Sequence, residues 1–210
     1  KGKDMKEMEM TITPLFAAPF MKINLLADDY NLEAFKNYVR IQMAKDRDGI
    51  IKSNIGGWHS KNLELRDGTI TRILRKLSQH IDKFIDFYKV DREKYNWEFS
   101  ESWFITNDKG DYNVSHVHPN SFLSGVFYLQ TYEDAGDLVF HHHAKNIDYH
   151  KQPVDAFKEN VNYNSDYWRV TPQDGDLVVF PSFLNHSVEE NKNDFPRMVL
   201  SFNINLIKND

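Results

Sequence analysis

The hydrophobic positions of this chain change period near its middle. Up to about residue 95 they recur mostly at helical spacing; beyond it they come in short runs bounded by turn residues. Asn31 reads as the cap of a helix running to about Ala44, with Leu32, Phe35, Tyr38, Val39 and Met43 on one side. A second helix is predicted over Thr69 to Tyr88, where Ile70, Ile73, Leu74, Leu77, Ile81, Phe84, Ile85 and Tyr88 form one apolar stripe. Ahead of both, Met10 to Leu25 mixes β-branched and aromatic residues with Pro14 and Pro19. That suits one or two edge strands, because proline has no N–H for a central ladder. Gly56-Gly57-Trp58-His59-Ser60 reads as a turn or loop.

From Trp97 onward the pattern is β-like. Runs at Trp97 to Ile105, Asn113 to Val117, Phe122 to Thr131, Asp137 to His141, Tyr167 to Thr171, Asp176 to Phe180, His186 to Glu190 and Arg197 to Leu206 alternate with Gly-, Asn- and Asp-rich separators. So many short strands in this span suggest a mostly β fold with some α. The expected architecture is a double-stranded β-helix (a cupin-like jelly roll) with two N-terminal helices buttressing one sheet. One domain is expected over 1–210, with 1–95 supplying a strand and helices and 96–207 the jelly-roll core. His142 to Asp166 is long and irregular, as lids and substrate-contacting loops often are.

Composition narrows the function classes. A chain of 210 residues with 40% hydrophobic and 27% charged residues is that of a soluble, folded protein. A net charge of −5 gives no electrostatic case for nucleic-acid or membrane-surface binding, and the 14% aromatic content lacks the basic patch a single strand would need. No apolar run approaches the roughly 20 residues of a membrane span. Lys1 to Met10 has no apolar core of a signal peptide, so a cytoplasmic location, in a bacterium or a phage-infected host, is expected. Zero cysteines exclude disulfides, thiolate metal sites and cysteine nucleophiles. There is no Gly-x-Ser-x-Gly elbow, phosphate-binding glycine loop or His-Glu-x-x-His helix.

What remains is a dispersed set of polar residues beside apolar runs: His116, His118, His186 and Arg197. Residues two apart in a strand share a face, so His116 and His118 can reach one point, and neutral imidazole is a common ligand for iron, zinc, copper and nickel. Arg197 opens the apolar run Met198 to Ile204, which supplies no carboxylate at period-two spacing. A buried guanidinium there calls for an anionic ligand.

The stretches SHVHPNSFLSGVFYL, DAGDLVF, TPQDGDLVVFPSFLNHSV and FPRMVLSFNI resemble the iron(II)- and 2-oxoglutarate-dependent oxygenase superfamily. More narrowly, TPLFAAPF and SNIGGWHS resemble small prolyl-hydroxylase-like oxygenases of bacteria and phages. The resemblance implies that His116 and His186 are metal ligands and that Arg197 pairs with the distal carboxylate of 2-oxoglutarate. It maps Ser124 and Tyr128, four apart on one strand face, onto residues that assist at the same carboxylate. Iron(II), 2-oxoglutarate, dioxygen and an unidentified organic substrate are the implied cofactors and partners. The implied reaction is hydroxylation coupled to decarboxylation of 2-oxoglutarate to succinate.

His118 departs from the family pattern, which has Asp or Glu there. Three arrangements are open: His118 coordinates in a three-histidine face; it turns aside and leaves a place for water or halide, as in related halogenases; or another acid, such as Asp137, supplies the ligand. A cupin-like three-histidine metalloenzyme that does not use 2-oxoglutarate, and an inactive jelly-roll binding module, are the competing classes. Of the remaining histidines, His141, His142 and His143 read as a polar strand end, one of them an alternative liner of the pocket mouth. His80 and His150 read as surface residues. His59 reads as a loop residue, and secondarily as one facing the site.

Overall fold

The computed structural model describes residues 11–13, 15–26, 31–65, 67–142, 157–159, 161–162 and 164–209. In chain order the elements are β1 (Met21–Asn24), α1 (Leu32–Lys45), β2 (Asn54–Ile55), β3 (Trp58–His59), α2 (Gly68–Phe87), β4 (Tyr95–Asn107), β5 (Tyr112–His116), β6 (Leu123–Gln130), β7 (Leu138–His141), β8 (Tyr167–Val170), β9 (Asp176–Pro181), β10 (His186–Val188) and β11 (Arg197–Lys208). The helices start where their capping chemistry places them. Asn31 Oδ1 accepts the N–H of Ala34, and Asp67 Oδ1 accepts those of Thr69 and Ile70, so each side chain satisfies donors the first helical turn leaves free.

The strands form two antiparallel sheets, one of six strands in the order β1-β9-β6-β11-β4-β3 and one of five in the order β2-β5-β10-β7-β8. The six-stranded sheet has an apolar layer on each face. Phe104, Leu123, Phe127, Leu129, Leu177, Val179, Leu200 and Phe202 pack with Phe35 and Val39 of α1 and with the α2 stripe from Ile70 to Ile85. Their neighbours of opposite parity, Trp103, Ile105, Tyr128, Val178, Phe180 and Val199, face the second sheet and meet Leu138, Phe140 and Val170 there. Period-two alternation thus builds both layers from the same strands. The proline-broken N-terminal run supplies the edge strand β1, as its chemistry predicts.

Two expectations need correction. The glycine pair at 56 and 57 is flanked by short strands, β2 and β3, which pair with β5 and β4 in different sheets. The chain crosses between sheets on Gly56 and Gly57, at φ of 68° and 63°, and a Cβ on Gly57 would stand 2.7 Å from the Thr106 carbonyl. Two-residue strands leave no periodicity to read. Second, β5 ends at His116, so His118 is not a strand residue; its N–H donates instead to the Ser182 carbonyl at 3.0 Å. Much of the loop predicted over 142–166, with His143 and His150, lies outside the described residues. No helix among the described residues is long and apolar enough to cross a membrane.

Gly125 shows how closely the helix-facing layer is packed. It pairs with Phe202, and an added Cβ would lie 2.3 Å from that ring. Gly125→Ala should therefore lower unfolding stability by about 1–3 kcal/mol, and adding Phe202→Leu should recover part of the loss. Denaturant titration of the two variants checks this, and an unperturbed single variant would show that the ring has room to move.

Candidate active site

The two sheets enclose a cavity of about 740 Å³ lined from both sides. On the five-stranded sheet, His186 of β10 stands directly opposite His116 of β5, and His118 follows two residues later. The ring centroids lie 4.3 Å apart for His116 and His186, 5.1 Å for His116 and His118, and 5.2 Å for His118 and His186. One ligand atom from each ring lies within 4.8 Å of the others, a spacing that could hold one metal ion. No carboxylate belongs to this group among the described residues, so Asp137 is not its missing member.

Backbone carbonyls orient two of the rings. Nδ1 of His116 lies 2.7 Å from the Val114 carbonyl, and Nδ1 of His186 lies 2.9 Å from that of Leu184. A nitrogen facing a carbonyl must carry the proton, which leaves Nε2 with a free lone pair. His118 is held differently. Its ring stacks on Trp103 at 5.6 Å, and His59 stacks on the same indole at 5.7 Å. His59, read mainly as a loop residue, is thus buried and lines the cavity. The indole Nε1–H of Trp103 is buried with no partner among the described residues.

At the other end of the cavity lies a cationic corner. Arg197 is only 2% exposed, and its Nη1 donates to the carbonyls of Ala135, Gly136 (3.2 Å) and Glu189 (3.4 Å). Gly136, at φ of 90°, admits this approach, since a Cβ there would stand 2.8 Å from Nη1. Among the described residues the second terminal nitrogen, Nη2, is buried with no partner, and Arg197 forms no ion pair. Asn107, paired with Arg197 across β4 and β11, likewise buries an Nδ2 with no partner among the described residues. Sequence reasoning missed Asn107 because it begins Asn107-Asp108-Lys109-Gly110 and looks like turn chemistry. Its parity with Trp103 and Ile105 was the available signal. Burial holds the Arg197 pKa below its ordinary value and pushes that of Tyr128 well above, so the Tyr128 hydroxyl remains a donor at neutral pH.

Tyr128 and Ser124 both line the cavity, as expected from one strand face. Four residues of strand separate them by about 13 Å, too far to share one carboxylate. Ser124 has other partners: its Oγ donates to Asn203 Oδ1 at 2.8 Å and lies 2.8 Å from Ser182 Oγ. His141 is outside the histidine group, with Nε2 against Ser187 Oγ at 2.9 Å; His80 lies on α2, away from the cavity.

Residues 101–203 match the family model for 2OG-Fe(II) oxygenases. That span, just under half of the chain, resembles this oxygenase family. The matched span holds the histidine group, Asn107, Tyr128 and Arg197. Among solved structures, a Pseudomonas putida prolyl-4-hydroxylase is similar at 17% identity, covering 89% of this chain and 91% of that one with a TM-score of 0.60. HygX from Streptomyces hygroscopicus, solved with nickel, 2-oxoglutarate and hygromycin B, is 11% identical over 90% of this chain and 83% of its own, with a TM-score of 0.59. The viral collagen prolyl hydroxylase of Paramecium Bursaria Chlorella virus-1 is 12% identical over 88% and 94% of the two chains, with a TM-score of 0.53. At such identities the likeness is one of fold. No curated protein matches this chain in sequence. For an enzyme of this family the cavity has the right chemistry: three imidazoles suit a divalent metal, and two orphaned N–H groups beside a buried cation suit a carboxylate.

Proximity and burial also set the acid behaviour of the histidines. Burial first, then the neighbouring imidazoles, depress His118 to about 4 and His186 to about 3. Because folding lowers these values, the unfolded chain takes up protons first. The corresponding stability is fully present above about pH 6.5 and is lost as pH falls towards 4, at about 1.4 kcal/mol per unit for each histidine. Metal-free protein should therefore be several kcal/mol less stable at pH 5 than at pH 7.5, and His118→Gln should flatten that slope. Denaturation of chelator-treated protein at both values measures it; equal slopes in the two proteins would refute it.

Proposed function

We propose that this chain is a 2-oxoglutarate-dependent oxygenase, a hydroxylase that oxidises an organic substrate while 2-oxoglutarate is decarboxylated. The overall balance is R–H + O2 + 2-oxoglutarate → R–OH + succinate + CO2. In this reading the chain acts as one oxygenase domain, in which residues 96–207 carry the histidines and Arg197 and the preceding elements buttress them. The observation that carries the proposal is the buried Nη2 of Arg197, without a partner among the described residues and in the same cavity as three convergent imidazoles. An unpaired interior guanidinium is costly, and a dicarboxylate ligand that bonds it offsets that cost.

His116, His118 and His186 would hold iron(II), and Arg197, Tyr128 and Asn107 would hold the distal carboxylate of 2-oxoglutarate. Iron(II) with the keto acid supplies the redox chemistry that activates dioxygen for attack on a C–H bond. The chain's own part is positional. The carbonyls of Val114 and Leu184 fix two imidazole tautomers, and Trp103 fixes the plane of the third ring. Val126, Leu138, Phe180, Val188 and Val199 wall the space between histidines and cationic corner, which limits water there. Three neutral imidazoles contribute no charge, so negative charge beside a divalent ion would come from the cosubstrate.

Anaerobic titration with iron(II) and 2-oxoglutarate tests the reading through the weak visible charge-transfer band of the chelate. Arg197→Met, which keeps much of the side-chain volume, should weaken 2-oxoglutarate binding by on the order of a hundredfold, about 3 kcal/mol. Asn107→Ala should cost about tenfold, and both variants should still bind iron. Unchanged 2-oxoglutarate affinity in the Arg197 variant would point instead to a three-histidine metalloenzyme that does not use this cosubstrate.

A further inference from the structure

The cavity face of the six-stranded sheet is a grid whose rows are fixed by strand pairing. Across β6, β11 and β4 the rows run Tyr128–Val199–Ile105, Val126–Ser201–Trp103 and Ser124–Asn203–Glu101. Arg197 and Asn107 pair beyond the first of them. Successive rows are two residues apart, or about 6.5 Å. His118 stacks on Trp103, which stations the histidine group over the middle row. The cationic corner therefore lies on one side of the histidines and the Ser124–Asn203–Glu101 row on the other. If the first side takes the cosubstrate, as proposed above, the far row faces the organic substrate.

That row is organised to present a carboxylate. Ser182 Oγ and Ser124 Oγ are bonded at 2.8 Å, and the Ser124 hydroxyl donates to Asn203 Oδ1 at 2.8 Å. With its oxygen so occupied, Asn203 turns Nδ2 to Glu101 Oε2 at 3.1 Å, and Asn62 Nδ2 reaches Oε1 at 3.5 Å. Ser124, Asn203 and Ser182 are buried, whereas Glu101 is exposed at the cavity edge. An exposed glutamate ordinarily samples many rotamers; this one is tethered from within by a buried chain of hydrogen bonds. Its two oxygens offer about four acceptor positions, of which two are used. Glu101 forms no ion pair among the described residues. The nearby cation of the lining, Lys61, is taken by Asp46 at 2.9 Å. Lys52 belongs to the segment leading into β2, on the other sheet.

We propose that the Ser124–Asn203–Glu101 row is the substrate wall, and that the substrate presents a protonated amine to Glu101. A fixed carboxylate that already receives amide donors recognises an ammonium group through charge-assisted bonds and repels a carboxylate. The inference rests on the cosubstrate occupying the Arg197 side, and the test separates the two.

The protein is loaded anaerobically with iron(II) and 2-oxoglutarate, and the 2-oxoglutarate affinity is read first. It is then probed by ligand-observed NMR with matched five- and six-carbon alkylammonium ions, alcohols and carboxylates. The ammonium members are expected to bind, the others to bind at least tenfold more weakly, and Glu101→Gln to reduce ammonium affinity at least tenfold with 2-oxoglutarate affinity retained. Absence of ammonium binding, equal binding of the alcohols, or an unaffected Glu101→Gln variant would overturn the substrate assignment while leaving the cosubstrate reading intact. Failure of 2-oxoglutarate to bind the parent protein would overturn both.

Discussion

The register of β11 between β4 and β6 is the constraint on which the rest of this molecule depends. Its even-numbered residues Met198, Leu200, Phe202 and Ile204 pack under the helices. Its odd-numbered residues Arg197, Val199, Ser201 and Asn203 line the cavity. A one-residue slip would place a guanidinium in the helix-facing core and turn Phe202 into the cavity. Twelve paired positions with β4, and Phe202 packed over Gly125, oppose such a slip. Core stability and site chemistry are therefore set by one parity.

The two ends of the cavity are electrostatically matched. Burial depresses the histidines, so they are neutral at neutral pH and available as ligands without first losing a proton. Burial also lowers the Arg197 pKa, but from an ordinary value so high that the guanidinium keeps its charge. Neutral donors at one end and a cation at the other fit the metal and the dianionic cosubstrate of the proposed reading.

Much of this was legible in the chain because periodicity reports which face a residue occupies. The helix over Gly68–Phe87 and the strands from Tyr95 onward lie where apolar spacing put them, and Asn31 caps the helix it was expected to cap. Distance along a face is a separate quantity. Ser124 and Tyr128 share parity, yet the strand rise sets them two rows apart, and Ser124 belongs to the hydrogen-bonded chain that ends on Glu101. The two-residue strands at Asn54 and Trp58 could not be read because nothing alternates in so short a run. Asn107 was masked by the turn-like residues that follow it; its parity with Trp103 and Ile105 indicates the face, and the pairing with Arg197 gives its position.

His118 brings these threads together. Where the family pattern has a carboxylate, this chain has an imidazole, so no negative charge comes from the histidine group. Its ring makes no hydrogen bond to described residues, and Trp103 orients it by stacking, a weaker restraint than the carbonyl contacts of His116 and His186. Among the described cavity-lining residues the one carboxylate is Glu101, a row beyond Trp103. The negative charge thus stands on the far side of the histidines from Arg197. That displacement leaves the histidine group neutral. In the proposed reading it gives the Ser124–Asn203–Glu101 row a polarity opposite to that of the Arg197 corner.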